Sequence, residues 1–178
     1  MKQKRLNDIE FNCNNGLRAD RVNYKILKSL REINFKYLAF GVESGNNKIL
    51  KNLKKGETIE QNETAIRDSL RLGFKVTLFF LVGSPGETVN DVHDSFKFAL
   101  RYPVFDTRFY NIVPFPATEL YNWAKSNDYL LSDSDYYLNH FSHWDNVPIF
   151  ATPELSEKQR KQLLMKARRI RKKFDTNQ

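Results

Sequence analysis

The sequence has few of the features on which disulfide-stabilised, thiolate-rich or membrane proteins depend. Among its 178 residues there is one cysteine, Cys13, and the longest apolar run extends only from Val76 to Val82. A single thiol excludes an internal disulfide framework and any site that needs several thiolates from this chain. The apolar run is far shorter than the roughly 20 residues of a membrane-spanning helix, and the polar first residues do not resemble a secretory signal. We therefore expect a soluble, cytoplasmic protein with no membrane partner.

The positive charge is concentrated near one end of the chain. The formal net charge is +8, and the segment 154–175, with nine basic and three acidic residues, accounts for +6 of it. The same segment has an apolar stripe at helical spacing, which consists of Leu163, Leu164, Ala167 and Ile170. This pattern predicts a docked helix with a solvated basic face. Nucleic acid is therefore not the expected partner, although a nucleic-acid-binding module built on this helix is one alternative.

Four short runs rich in aromatic or β-branched residues predict strands, with helical patterns between them. The runs are Ile9–Asn12, Phe35–Phe40, Lys75–Val82 and Arg108–Val113. Spacings of roughly 30 to 40 residues between strands suit right-handed βαβ units. The sequence therefore predicts an α/β fold of about four parallel strands with alternating helices, followed by a C-terminal helix.

Ligands bind at the carboxyl ends of strands in such folds, so the residues after each run are candidates for a site. Glu43 and Ser44 follow the second strand between two glycines, although both residues could simply cap the next helix. Gly83 begins a tight turn that can expose backbone groups to a ligand, although it could be an ordinary βα turn. Arg18, after the first strand, could hold a ligand carboxylate or pair with Asp20.

The segment after the fourth strand is stiffened by two prolines, Pro114 and Pro116. A rigid backbone beside Phe115 could stack on a flat ring, or it could be only a loop that leads into the next helix. Two histidines, His140 and His143, are three residues apart, but no third metal ligand is evident nearby, which favours aromatic packing. We therefore assign no catalytic and no metal-ligating residue to this chain.

The chain resembles the second half of a radical S-adenosylmethionine enzyme in three consecutive segments, which read GVESGNNKILKNLKKGET, LVGSPGET and PFPATELY. The subgroup it resembles most is that of the iron–sulfur oxidoreductases that often carry an upstream cobalamin-binding domain. Ala117 departs from the usual PxPGT pattern of the family. The CxxxCxxC loop that binds the 4Fe–4S cluster in this family is absent, as is its Gly-Gly-Glu segment, and Cys13 lies on a different strand.

The resemblance implies that the chain is a fragment of a partial TIM-type barrel. Residues 1–130 would be the second half of that barrel, and residues 131–178 an irregular aromatic segment with the basic helix packed on the barrel. The upstream half would be its partner and would bind the 4Fe–4S cluster, so this chain alone would be inactive. A barrel cut in this way would expose the edge of its first strand, which implies self-association of the fragment.

The resemblance also assigns roles in binding S-adenosylmethionine. Glu43 would hydrogen-bond the ribose hydroxyls with Ser44 as its helper, and Arg18 would hold the methionine carboxylate. The adenine would be lined by residues from the last two strand ends, namely Val82, Gly83, Pro85, Val113 and Pro114. Cobalamin is a further cofactor that the resemblance allows for the full-length protein. The substrate cannot be assigned, and a noncatalytic α/β scaffold is a second alternative.

Overall fold

The computed structural model describes residues 9–140 and 147–175, with side chains as far as Ile170 in the last helix. The strands are β1 (Phe11–Leu17), β2 (Phe35–Glu43), β3 (Lys75–Val82) and β4 (Asp106–Asn111). The helices are α1 (Tyr24–Glu32), α2 (Asn47–Asn52), α3 (Ile59–Arg71), α4 (Val89–Ala99), α5 (Glu119–Ser126), α6 (Ser134–His140) and α7 (Glu157–Asp175). A short 3-10 turn, Ala19–Arg21, follows β1.

The four strands form one parallel sheet in the order β1-β2-β3-β4. This confirms the α/β class with four parallel strands that alternate with helices. The predicted bounds of three of the four strands were wrong. The first strand begins at Phe11 and continues past Asn12 to Leu17, through an irregularity in its pairing with β2 that lies between Cys13 and Leu17. The second strand continues past Phe40, so that Glu43 is its last residue rather than a residue that follows it. The fourth strand begins at Asp106 and ends at Asn111, so Val113 lies beyond it.

Each strand turns one face toward the helices and the other toward the open side of the sheet. On the helix face, alternate residues of β2 and β3 are fully buried, namely Leu38, Phe40, Val42, Val76, Leu78, Phe80 and Val82. On the open face, several residues of β3 and β4 are only half-buried, namely Phe79, Leu81, Arg108 and Tyr110. This pattern agrees with the two-residue periodicity of a strand, in which successive side chains point to opposite faces of the sheet.

The helices begin at side-chain caps that their sequences predict. Thr58 and Gln61 form a reciprocal capping box at α3, and Thr88 and Asp91 form another at α4. Gly73, with φ of +77°, ends α3 in the left-handed conformation that glycine adopts without steric cost. These caps fix where the chain leaves each strand end and enters the helix behind the sheet.

Helix α7 packs against α4 and β4 through its apolar stripe. Most of its described cations point to solvent, namely Lys158, Lys161, Lys166, Arg168 and Arg169, whereas Arg160 is fully buried. The predicted docked helix with a basic outer face is therefore present. Arg160 is the exception, because its side chain is buried rather than solvated. Among the described helices, none combines the length and the apolar character that a membrane span requires.

Candidate functional site

Because all four strands are parallel, their carboxyl ends lie at the same edge of the sheet. Arg18 follows β1 directly, Glu43 is the last residue of β2, and Gly83 follows β3. Val113 and Pro114 lie just after β4. The segments that the sequence marked as candidates therefore share one rim, but their side chains do not all face the same way.

Glu43 contributes a partly exposed carboxylate to this rim. The side chain is 20 % exposed, and its Oε1 accepts a hydrogen bond of 3.0 Å from Lys55 Nζ. A Cβ atom at Gly41, two residues earlier on the same strand face, would lie 2.6 Å from Oε1. Glycine at position 41 therefore leaves the space that this carboxylate occupies. In the described part of the chain no partner is recorded for Oε2, which leaves it able to accept a hydroxyl proton.

Ser44 faces the opposite way from Glu43. The side chain is fully buried, and its hydroxyl lies 3.4 Å from the Ser95 hydroxyl on α4. The next residue, Gly45, also contacts α4, because its N–H donates to Ser95 Oγ at 2.8 Å. A Cβ atom at Gly45 would lie 2.6 Å from the Asp94 carbonyl oxygen. Ser44 and Gly45 therefore dock the strand end onto α4, and the structure does not bring the Ser44 hydroxyl to the side of Glu43.

Arg18 is engaged within the chain. Its Nε and Nη2 donate to both carboxylate oxygens of Asp20 at 3.0 Å, and its Nη1 donates to the Lys55 carbonyl at 3.0 Å. Of the two sequence alternatives, the structure therefore shows the pairing with Asp20. The hydrogen bond from Arg18 lowers the pKa of Asp20, whereas burial raises the pKa of the neighbouring Glu57. Through Lys55 this cluster is connected to Glu43.

The turn after β3 is held by hydrogen bonds from two side chains, those of Glu87 and Arg160. Gly83 has φ of +100°, and its N–H donates to Oε2 of Glu87, which also accepts from Ser84 N at 3.1 Å. The Gly83 carbonyl accepts from Nη2 of Arg160 at 3.0 Å. Both polar backbone groups of Gly83 are thus hydrogen-bonded within the chain. The Val82 side chain is buried among α4 and α7, on the helix side of the sheet.

Glu87 and Arg160 are ionisable groups with almost no contact with water, and both are fully buried. Burial raises the pKa of Glu87 to about 7 and lowers the pKa of Arg160 to about 10, because each charged form loses hydration. The Arg160 guanidinium also lies 4.2 Å from the centre of the Phe150 ring. A pair of this kind beside a strand end is typical of functional sites.

A cleft of about 360 Å³ opens beside the β3 turn. Its apolar surface comes from Leu53, Pro85, Ile112 and Trp123, and Asn52 Nδ2 donates to the Pro85 carbonyl at 2.9 Å. This volume is in the range of small-molecule sites. Of the predicted adenine-lining residues, Pro85 is therefore the one that the structure places on a cleft.

The segment after β4 is held by a hydrogen bond from α6. Val113 is half-buried, and Pro114 is buried with its carbonyl accepting a hydrogen bond from the Tyr137 hydroxyl of α6. Ala117 has φ of +65°, which explains the family preference for glycine at this position, since a left-handed conformation costs other residues about 1–2 kcal/mol. His140 stacks on Tyr136 with ring centres 4.5 Å apart, and His143 lies outside the described residues.

Sequence reasoning missed four residues of this rim. Lys55, Glu57 and Glu87 lie inside the motifs but carried no role, and Arg160 was counted among the solvated cations of α7. Gly56 and Gly86, which lie next to three of these residues, could have indicated them, because a glycine in a tight turn often leaves room for a neighbouring group. The partner that needs the room at Gly83 is 77 residues away, so no local pattern identifies it.

The residues present do not fit a 4Fe–4S cluster. The sequence has one cysteine, and Cys13 is half-buried in β1 rather than at a strand end. In the part of the chain that the structure describes, no group of three or more His, Cys, Asp or Glu side chains could hold a metal ion. Glu43, by contrast, is a half-buried carboxylate that can accept a proton from a ligand hydroxyl.

The comparisons with known proteins agree with this architecture. The family model described as the Radical SAM superfamily matches residues 2–99, more than half of the chain. An uncharacterized methyltransferase of Pyrococcus horikoshii is 28% identical over 94% of this chain and 35% of its own length. A putative methylthiotransferase of Methanocaldococcus jannaschii is 29% identical over 78% of this chain and 35% of its own length. The chain thus spans about a third of these relatives.

A solved structure shows the same fold. The coproporphyrinogen III oxidase HemN of Escherichia coli, a radical SAM enzyme, superposes with a TM-score of 0.63 at 14% identity, over 89% of this chain and 31% of that one. At this identity the likeness concerns the fold alone, and the family assignment depends on the match over residues 2–99. The chain belongs to the radical S-adenosylmethionine superfamily.

Proposed function

We propose that this chain supplies the ribose- and adenine-facing side of the S-adenosylmethionine site of a radical S-adenosylmethionine enzyme. The observation that carries the proposal is the Glu43 carboxylate, half-buried at the end of β2 and given room by Gly41. Family membership supplies the ligand class, since S-adenosylmethionine and a 4Fe–4S cluster define this superfamily. A 4Fe–4S cluster would supply the radical chemistry of the complete protein, and its ligands would lie outside this chain.

The tasks of the chain in this proposal are binding and orientation. Glu43 accepts the ribose hydroxyl protons, and the hydrogen bond from Lys55 fixes the direction of its carboxylate. The adenine lies against the apolar cleft beside Pro85, with Val113 and Pro114 beyond it. Arg18 is a poorer candidate for the methionine carboxylate than its position suggested, because Asp20 already neutralises its charge.

The upstream half of the barrel is the partner in this proposal, and the complete protein carries the activity. Cobalamin stays a prediction from the sequence resemblance, and the absorbance spectrum of the complete protein tests it. The relatives act as methyl or methylthio transferases by their names, which favours a transfer reaction of that type for the complete protein.

The test is S-adenosylmethionine affinity in the natural protein that contains this chain, measured by calorimetry for the Glu43→Ala variant. Loss of a charge-assisted hydrogen bond costs on the order of 1.5–3 kcal/mol, so we expect affinity to fall about ten- to a hundredfold. Glu63→Ala is the matched control, because Glu63 is also ion-paired and 18% exposed but lies on α3. Unchanged affinity in folded Glu43→Ala, or an equal loss in the control, would contradict the proposal.

The alternatives make different predictions for the same protein. A nucleic-acid-binding module built on the exposed cations of α7 would bind RNA or DNA with an affinity that falls steeply with salt. A noncatalytic scaffold would bind neither nucleic acid nor S-adenosylmethionine. Because the apolar stripe of α7 is already buried against α4 and β4, we favour the enzyme.

A further inference from the structure

Arg160 is the side chain of α7 that departs from the pattern of the helix. The neighbouring cations point to solvent, whereas the Arg160 side chain is fully buried and extends to the turn after β3. Burying a guanidinium is costly unless its donors are paired. Only Nη2 has a hydrogen-bond partner in the described structure, and both Nε and Nη1 are buried without one. If this side chain only held α7 against the sheet, an apolar residue would do so without the free-energy cost of burying a charge.

Arg160 contributes to fixing the backbone conformation of Gly83. The Gly83 carbonyl accepts from Arg160, and the Gly83 N–H donates to Glu87, so both polar backbone groups of this residue are fixed by buried side chains. A Cβ atom at position 83 would clash with Cζ of Arg160. The buried guanidinium therefore excludes any residue with a Cβ atom at this position, and the positive φ of Gly83 favours glycine as well.

The fixed residue lies next to the cleft. Pro85, two residues after Gly83, forms part of the apolar surface of the cleft, and its carbonyl is held by Asn52. Since the turn is short and is hydrogen-bonded at Gly83 and at Pro85, we expect a change at Gly83 to move Pro85 as well. Arg160 can thus affect a ligand in the cleft without touching it.

We propose that Arg160 is a positioning residue for S-adenosylmethionine, which couples the docking of α7 to the shape of the β3 turn and so to affinity for the adenine side of the ligand. This inference rests on the proposed function, since it assumes that the adenine lies in the cleft. By linkage, S-adenosylmethionine must in turn strengthen the docking of α7.

The decisive variant is Arg160→Lys in the natural protein that contains this chain. Lysine keeps the charge but loses the planar group that stacks on Phe150 and reaches Gly83. We expect affinity for S-adenosylmethionine to fall at least about fivefold, the lower end of typical coupling between sites. Arg169→Lys, an exchange at an exposed position of the same helix, is the matched control and should leave affinity unchanged.

A second readout separates positioning from a general effect on stability. With seven glycines, the chain labelled with ¹⁵N-glycine gives a simple amide spectrum. We expect the Gly83 signal to shift in Arg160→Lys, and the signals of distant glycines such as Gly73 to stay in place. Arg160→Met, which removes the charge, should displace the Gly83 signal further; if it does not fold, Arg160→Lys alone decides.

The outcomes distinguish this inference from the proposed function. Folded Arg160→Lys protein that binds S-adenosylmethionine as tightly as the wild type overturns the inference and leaves the proposed function intact. A shift of all glycine signals together, without a larger change at Gly83, also overturns it. Weaker binding in Arg160→Lys with no effect of Glu43→Ala supports the inference and refutes the role of Glu43. A wild-type protein that binds no S-adenosylmethionine refutes both.

Discussion

The buried carboxyl group of Glu87 should make the stability of this chain fall as the pH rises from about 4.5 to about 7. The carboxyl accepts from the N–H groups of Gly83 and Ser84 and faces the charges of Arg160 on α7 and Asp91 on α4. Burial dominates these contributions and raises the pKa of Glu87 to about 7. The folded chain therefore keeps a proton on this group over a range of pH in which the unfolded chain has released it.

The sign follows from proton linkage. Below about pH 4.5 both states bind the proton, and the contribution of Glu87 to stability is fully present. Between about 4.5 and 7 the unfolded state binds fewer protons than the folded state, so the free energy of unfolding decreases with pH. At about 1.4 kcal/mol per pH unit, the loss over the whole range is roughly 3 kcal/mol. Above pH 7 both states are ionised and the contribution is constant.

The variant that isolates this effect is Glu87→Gln, because glutamine keeps an oxygen that can accept from Gly83 and Ser84 but does not titrate. We expect the stability difference between variant and wild type, measured by urea unfolding from pH 4.5 to 8.5, to increase with pH in favour of the variant. Glu119→Gln, at a side chain that is 78% exposed, is the control for titration of an unburied carboxylate. A difference that is constant with pH in Glu87→Gln would show that Glu87 is ionised throughout and would refute the reasoning.

Three further outcomes test other parts of the structure. Gly41→Ala should weaken S-adenosylmethionine binding by the natural protein, because its Cβ would displace the carboxylate of Glu43, while the unfolding midpoint changes little. An unchanged affinity would mean that this carboxylate is not used. The purified chain, with Cys13 as its one thiol, should remain colourless and free of iron after anaerobic reconstitution, and stoichiometric iron and sulfide would contradict this. The chain should also self-associate through the outer edge of β1, where Ile9 and Phe11 are exposed, and light scattering that finds a strict monomer at high concentration would oppose this.

Much of the fold follows from local patterns in the sequence. The second and third strands are continuous apolar runs, and the boxes at Thr58 and Thr88 mark where α3 and α4 begin. The ends of three strands could not be predicted in this way. The polar residues from Asn14 to Gly16 have the composition of a turn, and they lie at an irregularity in the pairing of β1 with β2, between the paired residues Cys13 and Leu17. An irregularity of this kind depends on the neighbouring strand and leaves no trace in a short window of sequence.

The site was less predictable than the fold, because a motif gives the position of a residue along the chain but not the side to which it points. Successive residues of a strand face opposite sides of the sheet. In β3 this separates Val82, which is buried under the helices, from the half-buried Leu81. At the end of β2 the regular alternation is broken by a register irregularity and by the left-handed φ of +63° at Glu43, and Ser44, the next residue, contacts α4. A motif that continues from a strand into a turn thus combines residues that can touch a ligand with residues that hold the scaffold. At β3 the residues that hold the scaffold are completed by Arg160, which is 77 residues from Gly83 in sequence and donates directly to its carbonyl, so no motif around the turn could identify it.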